Sequence, residues 1–314
     1  LFGAETWSGI GVVRQMSTAT ERLILNLRNP NLRAPCADAL AKKPGWLWAL
    51  GDPRVREAIE VAIDKQRLLA ATLPMYGSPV TAELNQGPYV TRVPPSEYNL
   101  EWAGTLLDEA GWKDRNDDGV RECHGCLYAQ AGRPLQLEIA TTAGHELRER
   151  TALMLATMLK KIGIELTVVR VPASTLFGSF ERGAFRSYGQ FDILMYASGF
   201  GIEPYSRLKA SYASGSIPCS KNSGQGSNFS RWIDTEADAA LTTAGSNPDP
   251  GARAAAYQVL AERIAAERPV IYLYTYDALD LIGSRFLGYA PNSWDTLSWN
   301  AGEWYLAKGE SQRP

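Results

Sequence analysis

Apolar residues along this chain switch repeatedly between a strand-like and a helix-like spacing. Residues 21–27 (ERLILNL) form a short apolar run with polar flanks and predict a strand. At Asp52 the spacing changes: Asp52 supplies an N-cap, Pro53 the first helical position, and Val55, Ile59, Ala62 and Ile63 recur on one helical face. Asp64 caps a second short helix over residues 65–71. Residues 77–95, rich in glycine and proline, predict a long surface loop, and Asn99 opens a helix that Gly111 closes. A strand over 134–142, a helix over 145–162, a strand over 164–171, a helix over 173–182 and a strand over 191–197 follow. On the long helix Leu147, Leu153, Leu155, Met158 and Leu159 are expected inward, with Arg148, Glu149, Arg150, Lys160 and Lys161 in water. Beyond the polar excursion 211–230 come helices over 234–244 and 250–267 and a strand over 270–276, and 279–304 reads as irregular or β. The order predicts an α/β fold with a mixed sheet flanked by helices.

Composition narrows the function. With 314 residues, 45% of them hydrophobic, the chain can bury one large core or two smaller ones. Its 32 basic and 34 acidic residues nearly balance, and no basic run can follow a phosphate backbone, so nucleic acid is excluded as a partner. The longest apolar runs, 193–197 and 270–276, fall far short of the ~20 residues that cross a bilayer.

Four cysteines, Cys36, Cys123, Cys126 and Cys219, permit three pairings and point to an oxidising compartment. Cys123 and Cys126 sit in a polar turn with no helix after them, which favours a local disulfide over redox chemistry. Cys36 then pairs with Cys219 by elimination. The segment Asp114-x-Asn116-x-Asp118-Gly119 places oxygens at positions 1, 3 and 5 of a calcium loop, with the Val120 carbonyl next. Its twelfth position is Gly125, so Glu122 is the substitute carboxylate, and an ion-free Asx turn has the same pattern. No cofactor is required, and structural calcium is the one ion expected.

Catalytic signatures are missing: there is no GxSxG or HExxH, Asp117 and Asp118 point apart, and His145 opens a helix. Asp192, inside the strand, is expected to face away from Ile193 or to bond a helix end. No catalytic residue is assigned.

Residues 52–69 (DPRVREAIEVAIDKQRLL), 98–112 (YNLEWAGTLLDEAGW), 114–122 (DRNDDGVRE), 134–142 (PLQLEIATT), 162–171, 191–208 (FDILMYASGFGIEPYSRL) and 267–276 (ERPVIYLYTY), in this order, resemble solute-binding protein family 5. That family serves dipeptide, oligopeptide, nickel and some saccharide ABC importers. The resemblance implies a periplasmic-binding-protein-like lobe with a mixed central sheet, plus remnants of the other lobe. Residues 1–51 are expected to belong to lobe 1 and the hinge, 52–276 to lobe 2, and 277–314 to the return to lobe 1, with the N-terminal part of lobe 1 lacking. The implied protein is an extracytoplasmic, monomeric receptor that closes on a ligand and delivers it to ABC permease subunits. A periplasmic enzyme or ligand sensor reusing the fold is the alternative.

The loop after strand 191–197 lies where open α/β sheets place ligands, and Tyr196, Ser198, Phe200, Glu203, Tyr205 and Asn228 are the candidate ligand contacts. Peptide-binding members resemble W-x-x-D-x-x-D-P here. Aligning on Pro204 puts Glu203 at the second acid, Phe200 at the first and Ala197 at the tryptophan. Without that first acid a ligand ammonium would lie unpaired in a desolvated cleft, so a neutral, sugar-like or apolar ligand is expected.

Overall fold

The apolar runs of the chain pair into one six-stranded mixed sheet. A computed structural model describes residues 9–27, 48–73 and 76–307. The strands are β1 (Ile10–Leu25), β2 (Gly77–Pro79), β3 (Trp112–Lys113), β4 (Glu122–Cys123), β5 (Gln136–Thr142), β6 (Glu165–Val171), β7 (Ile193–Ser198), β8 (Val270–Gly283), β9 (Phe286–Leu287) and β10 (Tyr305–Leu306). In the main sheet the order is β2-β8-β1-β7-β5-β6; β3 pairs with β4 and β9 with β10 in two small ribbons. The strands β5, β6 and β7 are parallel, while β1 runs antiparallel to both β7 and β8. Leu23, Leu25, Ile139, Ile193, Met195 and Leu273 are almost wholly buried, as strands covered on both faces require.

Helices cover the sheet, and side-chain caps set where most of the longer ones begin. The helices α1 (Pro53–Val61), α2 (Lys65–Thr72) and α3 (Leu100–Glu109) start where Asp52, Asp64 and Asn99 accept from the backbone N–H groups of Arg54, Arg67 and Trp102. The long helix α4 (Glu146–Lys160) starts at His145, whose Nδ1 accepts from Arg148 N at 3.4 Å. Short α5 (Ala173–Leu176), α6 (Phe185–Tyr188) and α7 (Tyr205–Tyr212) follow, then α8 (Thr235–Ser246) and α9 (Pro250–Glu267), capped by Asp234 and Asp249.

Several expectations need correction. The helix expected over 173–182 stops at Leu176, and only a 3₁₀ turn, Phe180–Arg182, follows beyond Gly178. Leu153, expected inward, is half exposed, whereas Arg148, expected in water, is buried. The strand expected from residue 21 begins at Ile10, and the one expected to end at 276 continues to Gly283. Asp192 is buried and accepts from the Glu138 backbone of β5 at 2.8 Å, so it ties two strands together.

Candidate functional site

Parallel β5, β6 and β7 all end on one edge of the sheet, at Thr142, Val171 and Ser198. On that edge Thr20 of β1 pairs with Ser198, and β1 and β8 continue past it as a two-stranded ribbon. This is the position at which open α/β sheets hold ligands.

The loop after β7 passes close to the ribbon. A side chain at Gly199 would come within 2.8 Å of Thr18 Oγ1, so the residue has to be small. Phe200 is buried, its ring 5.7 Å from that of Trp294. Gly87, with φ +87°, brings its backbone so near Trp294 that a Cβ would sit 2.8 Å from the indole. Trp294 thus lies between Phe200 and the 80–95 segment. Phe200, four residues before Pro204 and expected from the resemblance to stand at the first acid of the pattern, is thus one half of an aromatic pair.

The other expected contacts separate. Glu203 is tied to Arg253 of α9 and accepts from Tyr257 Oη at 3.3 Å, and both arginine and tyrosine hold its carboxyl below the usual range. Tyr205 packs against Gly245 of α8, with Lys209 Nζ 5.6 Å from its ring centre. Tyr196 is buried on the sheet, edge-on to Phe177 and beneath the Arg22 guanidinium. Asn228 is a correction: it is fully buried, donates to the Ala213 and Trp232 carbonyls at 3.1 and 2.8 Å, and accepts from Trp232 N and Ser230 Oγ. Its amide is consumed by loop-closing bonds and has nothing left for a ligand. Of the six candidates, Ser198 and Phe200 stand on the edge where the parallel strands end.

Below that edge the central strand carries two charges. Arg22 Nη1 meets Glu83 Oε2 at 2.8 Å, both side chains nearly inaccessible, and Glu83 also accepts from the Tyr212 hydroxyl, which lies 2.9 Å from Tyr272 Oη. Arg207 Nε is 3.6 Å from Glu83 Oε1, and its Nη2 donates to Ser198 Oγ. On the opposite face Arg148 Nε donates to both Glu21 oxygens at 3.1 and 3.2 Å, and its Nη1 donates to Thr142 Oγ1. Sequence reasoning missed both clusters; the one signal was an acid-base pair, Glu21-Arg22, inside an apolar strand.

The 114–122 loop folds on its own side chains. Gly119 N donates to Asp114 Oδ2, Asp118 N to Asn116 Oδ1 and Val120 N to Asp118 Oδ1 at 2.8–3.0 Å. Carboxylate oxygens of Asp114, Asp118 and Glu122 lie within 4.8 Å of one another. Asp114 Oδ1 is buried without a hydrogen bond, an orphan of the kind a cation satisfies. Cys123 and Cys126 form a disulfide with Cα atoms 5.3 Å apart. Cys219 is also disulfide-bonded; Cys36, its expected partner, lies outside the described residues.

The fold is an α/β lobe in which helices cover both faces of a mixed sheet whose parallel strands end on one edge. Residues 5–217 match the model of the bacterial extracellular solute-binding proteins, family 5 Middle, and the chain belongs to that family. It is 26% identical over 263 residues to the oligopeptide-binding protein AppA of Bacillus subtilis, a match that covers 82% of this chain and 44% of AppA. The nickel-binding periplasmic protein of Escherichia coli is 26% identical over 135 residues, which are 42% of this chain and 24% of that protein. Among solved structures, AppA of B. subtilis in complex with a nonapeptide superposes with a TM-score of 0.74 at 23% identity, over 97% of this chain and 54% of that one. NikZ from Campylobacter jejuni in complex with Ni(L-His) gives 0.73 at 24% identity, over 95% of this chain and 54% of that one. The chain spans about half the length of these relatives. Among the described residues no helix is long and apolar enough to cross a membrane.

Proposed function

We propose that this chain is the ligand-binding part of an extracytoplasmic receptor that captures a small solute between two lobes and hands it to an ABC permease, without chemical turnover. Family membership supports the receptor reading. The observation that carries the ligand class is the Phe200–Trp294 pair on the binding edge. Buried Phe200 backs the half-buried Trp294 indole where an ammonium would need a carboxylate, so the ligand is read there through a neutral, sugar-like or apolar part. In this reading residues 52–276 form lobe 2, joined by Thr20–Leu25, which are central in the same sheet. The remaining described parts of β1 and β8 lead to lobe 1.

Mass spectrometry of small molecules released from the intact protein tests this. The expected product is a neutral or amine-blocked solute, returned unmodified, that raises the melting temperature when added back. Tight binding of peptides that is abolished by capping their amines would refute the ligand class.

The 114–122 loop fits calcium. Asp114, Asn116, Asp118, Glu122 and the Val120 carbonyl would supply the oxygens, and the orphaned Asp114 Oδ1 favours this reading over an ion-free turn. The ion would stiffen a loop remote from the binding edge. Calcium is expected to raise the melting temperature and a chelator to reverse the gain; melting that ignores both would leave the turn ion-free.

A further inference from the structure

Two chain segments flank the Trp294 indole. On one side is the loop 199–204, which carries Phe200, its ring 5.7 Å from that of Trp294. On the other is the turn 84–91, closed at its base by Thr91 N donating to the Leu84 carbonyl at 3.0 Å, with Gly87 against the indole. The backbone of Trp294 is anchored elsewhere, since Ser293 Oγ donates to the Met16 carbonyl of the ribbon at 2.7 Å. The indole is thus rooted on the ribbon, and the spacing of the two walls sets how its ring can lie.

Both walls hang from the same stretch of α9. Glu203, three residues after Phe200, is paired with Arg253. The Arg253 guanidinium also lies 5.0 Å from the ring centre of Tyr89, two residues after Gly87, and donates to Tyr257 Oη at 3.2 Å. Tyr89 and Tyr257 meet edge to face at 5.1 Å. Next to Tyr257, the Gln258 side chain donates to the Arg92 carbonyl and accepts from the Arg92 N–H, both at 2.9 Å, gripping the backbone as a neighbouring strand would. Arg253 is itself fixed from behind, Nε donating to the Ala244 carbonyl of α8 at 3.0 Å. Connections of two and three residues span at most about 7 and 10 Å, so a shift of either anchor reaches the aromatic pair. Glu203 is half exposed, so its ion pair adds little to global stability, and its effect lies in where it holds the loop. A single guanidinium therefore ties both walls together.

We propose that Arg253 is a positioning residue of the receptor: it sets the distance between the Phe200 loop and the Gly87 turn and so gives the Trp294 indole one orientation. Gln258 holds the second wall to the same helix. The inference rests on the reading that a ligand meets Phe200 and Trp294, and adds that two residues of α9 tune its affinity.

Fluorine NMR of the intact protein labelled with fluorotryptophan tests this, the Trp294 line being the one lost in Trp294→Phe. Arg253→Met, which keeps an apolar stem and removes the guanidinium, should shift, broaden or split that line and leave in place the line of Trp112, in the β3–β4 ribbon. It should also weaken binding of the solute recovered from the intact protein about tenfold, within the range for residues that act through others. Glu203→Gln should do the same, and the double variant no more than either single one. Gln258→Met, expected to disturb the same line, serves if the arginine variant does not fold. A Trp294 line unmoved in the variants overturns the proposal, as do displacements that add in the double variant, which would mark two independent packing defects. Solute affinity unchanged in Arg253→Met while Phe200→Ala lowers it also overturns the proposal. Affinity unchanged in Phe200→Ala as well would instead refute the ligand reading.

Discussion

Glu21 and Arg22 are neighbours in β1, yet they leave opposite faces of the sheet and meet different company. Glu21 has one counter-charge, Arg148, on its face. Burial pushes its carboxyl above the usual 4.5, and Arg148 offsets that only in part. Glu83, equally enclosed on the other face, is also raised by burial, but Arg22 and Arg207 together outweigh that and bring it below the usual value. Two acids with similar burial thus move in opposite directions. Each has two guanidiniums in its field, but Glu83 also accepts from the Tyr212 hydroxyl and has Arg22 at 2.8 Å, while Glu21 feels Arg22 only through space; the depth of a charged group says little until the quality of its partners is known.

The comparison predicts unequal damage when one partner is removed. Glu83→Ala leaves Arg22 enclosed, and a guanidinium cannot shed its proton to escape. Urea denaturation should show a loss of about 3–5 kcal/mol, the range for breaking a buried pair; a loss below about 1 kcal/mol would erase the distinction between the faces.

Arg148→Met should cost less, because the stranded Glu21 can take up a proton. Glu21 in the folded protein holds its proton to a higher pH than in the unfolded chain. Its stabilising contribution is therefore complete below the ordinary carboxyl value and is lost as pH rises through the raised one. In the variant this loss should steepen, by up to about 1.4 kcal/mol per pH unit across that window. For Glu83 the sign is reversed: its contribution is complete above the ordinary value and lost as pH falls through the lowered one. Denaturation curves from acid to neutral pH check both, and a variant whose stability is flat with pH would show that Glu21 is not the stranded group. The double variant Glu21→Gln/Arg148→Met should remove the slope.

Much of the fold was legible because its signals are local. A capping side chain reaches only two or three residues ahead, so Asp52, Asp64 and Asn99 announce their helices in the sequence, and α9 has the bounds its pattern predicts. Apolar runs likewise mark β5 and β7 to within two residues at each end. The outer halves of β1 and β8 were not legible because they are partly exposed and carry Arg14, Asp277 and Asp280 among their apolar residues. The buried charges escaped for a different reason. Arg148 lies on a helix whose other charges face water, and Glu83 sits in a segment rich in glycine and proline; their partners are 127 and 61 residues away in the chain. No window of sequence contains both members. The candidate site was legible in position, as the edge after β7, but not in membership, since Glu203, Tyr205 and Asn228 are drawn to α8, α9 and loop backbone.

The ribbon of β1 and β8 has a mechanical consequence. Its pairing runs in regular register from Ile10 opposite Gly283 to Met16 opposite Asp277, slips between Met16 and Thr20, and resumes with Thr20 opposite Thr275. At the slip Thr275 Oγ1 clamps the Ser17 and Ala19 carbonyls at 2.9 and 3.0 Å. A hydrogen-bonded ribbon resists stretching and shear, whereas a bulge concentrates twist. Torque applied at the outer end should therefore turn the ribbon at its two irregular steps, Met16–Thr20 and Glu21–Arg22, which flank the Thr20–Ser198 pair. The clamp at Thr275 makes the first of these steps a torsion spring rather than a loose joint.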